Sequence, residues 1–223
     1  MSSYTAGPVP VPLPVLHIDQ ATGDVSIENP AGSSLSITGY TITSAAGSLD
    51  AGSFDSIAPA SGFSVTTAIA NEITESGTGA AISGGGALSL GAAWFKTPTR
   101  DLTFNYTLSG GTTAEGAIVY EGDAISRSDL NGDGSIDSAD FATFVANHAK
   151  PLGVSDTIQS YLLGDLDGDL DNDRADFVLF KADFIAANGA AAFAALAGSV
   201  PEPTSFALLS LACLGGLRRR RNG

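Results

Sequence analysis

Residues 129–140 read Asp-Leu-Asn-Gly-Asp-Gly-Ser-Ile-Asp-Ser-Ala-Asp. Oxygen donors fall at positions 1, 3, 5, 7, 9 and 12 of this stretch: Asp129, Asn131, Asp133, Ser135 through its carbonyl, Asp137 (directly or through water) and Asp140. Alternate residues of a tight loop point inward, and a hard cation such as Ca2+ takes about six to eight oxygens. Gly134 at position 6 permits the sharp turn, and Ile136 at position 8 is available to pair with a second loop. The spacing predicts a calcium loop leading into a helix.

A second copy begins 36 residues on, with Asp165, Asp167, Asp169, Asp171, Asp173 and Asp176 at the same six positions. It departs from the first at two places. Leu170 replaces the turn glycine, which predicts a strained or differently built turn. Asn172 replaces the aliphatic residue at position 8, which predicts weaker loop-to-loop pairing. Crowding so many carboxylates round one site raises attraction for a cation and also raises repulsion without it. The repeat extends into the helices that follow. Phe141, Phe144, Val145 and His148 share one helical face, as do Phe177, Phe180, Phe184 and Ile185. Gly189 is placed to cap the second helix, and a short helix is expected at 155–163, opened by Ser155 or Asp156. Two loop–helix units joined by phenylalanines make a small core, so metal binding becomes part of the folding free energy.

The charge distribution agrees. Of the 223 residues, 24 are acidic and 10 are Lys or Arg, a net charge of −14. Thirteen aspartates lie in 123–199 against four bases, whereas 200–223 holds Glu202 and four arginines. No basic face exists to displace phosphate counterions, which argues against nucleic acid as a partner. The single cysteine, Cys213, excludes an intrachain disulfide and a cysteine-based zinc site. His17 and His148 are too few and too far apart to form a metal cluster, and no nucleophile–base pair is visible in local spacing.

The first half alternates in period two. Val25 and Ile27, and then Leu102, Phe104, Tyr106 and Leu108, are half-buried strands. Leu35 and Ile37 are odd-numbered, Tyr40 and Ile42 even-numbered, with Gly39 between them. A change of parity at a glycine predicts a β-bulge. Ala117–Tyr120 is expected to return as the antiparallel partner of 102–108. Short strands with Gly/Ser/Thr turns predict a sandwich of two antiparallel sheets over 13–121. Trp94, Phe95 and Tyr40 are either core residues or a glycan-binding face, and core is the commoner fate of large aromatics. Glu72 and Glu75 are too close in sequence to flank a glycosidic bond from separate elements.

Residues 123–189 resemble a type I dockerin, on the strength of the two loops and the Asp-Phe-x-x-Phe helices that leave them, 140–144 and 176–180. The resemblance implies two Ca2+ ions and docking onto a cohesin-like module or another surface protein, with polysaccharide-degrading assemblies as a frequent setting. In that family loop positions 10 and 11 help choose the partner. Here they are Ser138-Ala139 and Arg174-Ala175, so symmetric binding in two modes is not expected.

The C-terminus carries Pro201-Glu202-Pro203, an uncharged apolar run from Thr204 to Leu217, and Arg218–Arg221. As a helix that run spans roughly 21 Å, short of the ~30 Å hydrocarbon core. The order of the three parts is similar to the PEP-CTERM sorting tail. That resemblance implies export, passage through the inner membrane on a short transmembrane helix, and cleavage by an exosortase near Pro201, Glu202 and Pro203. The first residues, MSSYTAGPVPVPLP, lack the pattern of a signal peptide, so the natural start is expected upstream.

The expectation is therefore a multi-domain chain. A Pro-rich spacer (1–12) precedes an all-β sandwich (13–121). A small all-α dockerin-like calcium module (122–189) follows, then an Ala-rich linker (190–199) and a sorting tail with a single apolar helix (200–223). The expected role is non-enzymatic, at the cell surface or in the extracellular matrix. The alternative is a carbohydrate-binding accessory of a polysaccharide-degrading assembly.

Overall fold

The structure is a computed structural model that describes residues 14–58 and 62–198. The expected spacer (1–12) and the sorting tail, including Pro201, Glu202, Pro203 and the apolar run, lie outside the described residues. Among those described, no helix is long and apolar enough to cross a membrane.

The protein is mainly β, with few helices. Among the described residues nine strands form two sheets: β1 (Val15–Asp19), β2 (Val25–Glu28), β3 (Leu35–Ser44), β4 (Phe63–Ile69), β5 (Glu72–Ile82), β6 (Ala87–Ser89), β7 (Leu102–Leu108), β8 (Thr113–Glu115) and β9 (Ala117–Glu121). One sheet runs β6-β2-β1-β9 and the other β4-β5-β3-β7-β8. The alternating apolar residues of both sheets meet in one core. Leu16, Ile18, Val25 and Ile27 face Ile37, Tyr40, Ile42, Ile73 and Phe104. The bulge expected at Gly39 is present, with the register of β3 shifting between Ile37 and Gly39 against both neighbours.

The expected partner of β7 differs. Its hairpin partner is β8, and 117–121 crosses to the other sheet to pair in parallel with β1. The crossing takes place at Gly116, whose amide donates to the Phe104 carbonyl at 2.9 Å. A β-carbon there would lie 2.3 Å from the Phe104 ring. Only glycine lets the chain change sheets this close to a core aromatic.

Among the described residues four helices follow: α1 (Ser138–Asn147), α2 (Thr157–Tyr161), α3 (Arg174–Asn188) and α4 (Ala190–Gly198). They enclose a second core of Leu130, Phe141, Phe144, Tyr161, Leu166, Phe180, Phe184 and Phe193. Phe144 and Phe180 join the repeats with ring centroids 5.2 Å apart. Val145, expected on the apolar face of α1, is instead exposed. The Ala-rich stretch expected as a linker is helical, and its Phe193 closes the core against Phe141 and Phe184. Its alanines favour helix, and one aromatic is enough to dock it.

The two cores are joined by a short pinned connector. Gln20 donates to the carbonyls of Glu121 and Gly122, and Ile125 beyond β9 is still buried in the sandwich core. Gly116→Ala is expected to cost about 2 kcal/mol by overpacking against Phe104, measured by urea unfolding.

Candidate metal centre

The two loops are built on the same set of bonds to their position-1, position-9 and position-12 carboxylates. The position-12 carboxylate is buried and accepts three amides of its own loop. Asp140 takes Leu130 (2.8 Å), Asn131 (3.2 Å) and Asp137 (2.8 Å). Asp176 takes Leu166 (2.7 Å), Asp167 (3.1 Å) and Asp173 (2.8 Å). The position-1 carboxylate, also buried, takes the amide of position 6: Gly134 to Asp129 and Leu170 to Asp165, each at 2.9 Å. Position 9 is the N-cap of the exiting helix. Asp137 accepts from Ala139 and Asp173 from Ala175, each completing a capping box with the position-12 aspartate. The capping roles of Asp137 and Asp173 were not anticipated. The S/T-x-x-E form of the motif is absent, and Asp-x-x-Asp carries it instead.

The remaining donors are exposed. Asn131 donates to Asp133 at 2.9 Å and accepts the Asp133 amide at 2.9 Å. The Asp133 carboxylate accepts the Ser135 amide at 2.9 Å, and Asp169 accepts the Asp171 amide at 3.2 Å. In the second loop Asp165, Asp167 and Asp176 each bring one carboxylate oxygen within 4.8 Å of the others, as do Asp169, Asp171 and Asp176. Among the described residues these are the acidic triads close enough to share an ion. The loop missing its turn glycine is thus the one with the denser set of carboxylates. All donors in both loops are oxygens, with neither imidazole nor thiolate among them, a set that fits a hard cation of the calcium type and disfavours zinc.

Electrostatics reflect the crowding. Burial raises the Asp129 carboxyl above the usual aspartate range; the Gly134 amide opposes this and the Asp140 charge adds to it. Desolvation raises Asp167, reinforced by the charges of Asp176 and Asp169. Asp171 is raised by desolvation and then by Asp169 and Asp173. A cation among these groups would relieve the repulsion directly.

The irregular positions have clear accounts. Leu170 adopts φ 74°, the left-handed conformation that Gly134 adopts at φ 88°. The turn is the same one, held with a side chain that resists it. Asn172 joins the repeats through the helix of the first one. It is buried, donates to the carbonyls of Phe144 (3.1 Å) and Leu163 (2.9 Å), and pairs its oxygen with His148 Nδ1 at 3.0 Å. Its own carbonyl accepts the Ala149 amide at 2.8 Å. The counterpart at position 8 of the first loop, Ile136, offers its carbonyl to Asn188 at 2.7 Å. Each loop is therefore tied to the end of the other repeat's helix. Tyr161 of α2, not foreseen as part of the site, donates to the Asp129 carbonyl at 3.0 Å. Its hydroxyl is pushed strongly upward by burial and then by the charges of Asp129 and Asp140. Arg127 and Ser128 close the module by binding Asp183 of α3, the guanidinium in a two-pronged pair.

The aromatics weighed as a glycan face do not form one. Trp94 and Tyr40 are buried in the sandwich core and Phe95 is half-buried. Glu75 is also inside, accepting from Tyr40, Ser56 and the Ile57 amide, and so fixes 56–57 over β5. His17 lies on the outer face of its sheet between Glu28 (3.3 Å) and Glu121 (3.5 Å).

No known family and no curated protein matches the chain. Two solved structures of one enzyme, a GH20 exo-β-N-acetylglucosaminidase from Vibrio harveyi, align at 12% identity over 51% of this chain and 18% of that one, with a TM-score of 0.29. One is a complex with N-acetylglucosamine and the other an inactive D437A mutant. A likeness this slight carries no argument about fold or activity.

Two substitutions test the loop geometry by chemical unfolding of the full chain. Leu170→Gly should stabilise the protein by about 1 kcal/mol through relief of the left-handed conformation. Asn172→Ala should destabilise it by about 2 kcal/mol, because two buried carbonyls lose their donor.

Proposed function

We propose that this chain is a non-enzymatic, exported surface or matrix protein whose helical module is ordered by two calcium ions and docks onto another surface component. The observation that carries the reading is the scaffold the two loops share, in which the position-12 carboxylates accept the same three amides and the position-1 carboxylates the amide of position 6, round oxygen-only donor sets. Asp129, Asn131, Asp133 and Asp140, with the Ser135 carbonyl, would hold one ion. Asp165, Asp167, Asp169 and Asp176, with the Asp171 carbonyl, would hold the other. Asp137 and Asp173 serve chiefly as helix caps and contribute charge. Calcium would supply counter-charge to carboxylates that otherwise repel, so its binding free energy adds to folding. The dockerin resemblance of 123–189 supports docking as the use of the module. The tail at 201–221, similar to PEP-CTERM signals, supports export, a transient stay in the inner membrane and exosortase processing.

Calcium titration of the full chain, followed by calorimetry and circular dichroism, tests this. At a concentration about 100-fold above the Kd, stabilisation of about 2.7 kcal/mol per site is expected. Chelation should reverse it, and magnesium at equal concentration should give far less. An unfolding transition unchanged at millimolar calcium would overturn the reading.

A further inference from the structure

The two loops share the bonds to their position-1 and position-12 carboxylates but not their surroundings. Gly132 and Gly168 both occupy position 4, with φ 65° and φ 84°. Gly168 is exposed, and a β-carbon placed on it would meet nothing within 4 Å. Gly132 is buried, and a β-carbon there would fall 2.8 Å from Cβ and 3.1 Å from Cε of Lys96. The Lys96 side chain therefore lies across the first loop, and its Nζ donates to the Gly132 carbonyl at 2.9 Å.

Rigid elements hold it there. The Trp94 amide bonds the Gly23 carbonyl at 3.2 Å and the Phe95 amide bonds Ser48 at 2.9 Å, fixing the backbone just before the lysine. The turn at Gly23 runs beneath its stem, where a β-carbon would lie 3.6 Å from Lys96 Cγ. A second contact joins the modules close by: the Asp156 carboxylate, which caps α2, lies against Gly47 of the sandwich. Lys96, Asp129, Asp133 and Gly134 line one cleft of about 460 Å³ between sandwich and loop.

We infer that Lys96 is a tethered counter-cation of the first calcium loop, supplied by the sandwich, and that it lowers calcium affinity at that loop alone. The inference rests on the calcium reading above. The ammonium offsets part of the aspartate repulsion when no calcium is bound, and it opposes the incoming divalent charge. Both effects weaken binding. Among the described residues nothing lies within 4 Å of a β-carbon placed on Gly168 at position 4 of the second loop, so that loop serves as an internal control. Lys96 acts through the field and backbone of the loop, and is a positioning residue rather than a ligand.

The test uses the full chain in a background carrying Asp167→Ala and Asp169→Ala, two exposed side chains whose loss silences the second loop. Calcium affinity is measured by calorimetric titration, with circular dichroism confirming the fold. Lys96→Met, which keeps the stem and removes the charge, should tighten binding about threefold to tenfold at low salt. The difference should shrink towards unity in about 1 M KCl, while Lys96→Arg should resemble the parent. In the complementary background with the first loop silenced by Asn131→Ala and Asp133→Ala, Lys96→Met should change nothing. Unchanged or weaker binding in Lys96→Met, with the parent still binding calcium, would overturn this inference and leave the calcium reading intact. No binding by the unmutated chain at millimolar calcium would overturn both.

Discussion

A carboxylate buried beside other carboxylates needs donors or a cation, and the helical half of this protein is organised by that need. Asp140 and Asp176 sit at the centre of their loops with no exposure, and each takes three backbone amides. Those bonds shape the loop, start the helix and turn Leu130 and Leu166 into the phenylalanine core. In the second loop Asp167, Asp169 and Asp171 then crowd round Asp176. Backbone amides can satisfy the inner oxygens but cannot cancel the charge of the outer ones. The same residues that fold the loop thus concentrate negative charge at its mouth.

Much of this was legible in the amino acids. The spacing of Asp129 to Asp140 and its copy locates both loops, and the alternation in 102–108 and the parity change at Gly39 locate strands and bulge. These signals are local, each set by the period of the backbone. What could not be seen depends on where distant segments meet. Gly116 marks a change of sheet only because Phe104 stands beside it. Asn172 looks like a defect in a position-8 pattern until the carbonyls of Phe144 and Leu163 are brought to its amide. Val145 fits the helical period of Phe141 and Phe144, yet it is exposed. Trp94 was ambiguous for a related reason: an aromatic in a Gly-rich segment fits either a core or a surface, and only the closure of two sheets over it decides.

The glycine requirement illustrates how tertiary context changes a local rule. At position 6 nothing crowds the turn, so the only cost of a side chain is the left-handed backbone. That cost is of the order of one hydrogen bond. The bond from the Leu170 amide to Asp165 holds the conformation, and leucine is tolerated. At position 4 the two loops share a backbone but not a neighbour. A residue larger than glycine at 168 would face solvent, whereas at 132 it would collide with Lys96. The same conformation is a preference in one copy and a steric necessity in the other.

That difference has a consequence for how the halves behave as a unit. An exposed loop on a flexible tether would have affinity set by its own ligands. Here the connector is pinned by Gln20, Ile125 is buried in the sandwich core, and Lys96 and Gly47 meet the first loop and the cap of α2. Any free energy that a bound cation gained by ordering the first loop would therefore be shared with the contact to the sandwich, and strain in that contact would be felt at the loop. The second loop has no comparable contact at its position 4. The two halves thus differ in their side chains, Asn131 against Asp167 and Gly134 against Leu170, and differ again in that one of them is docked on the sandwich.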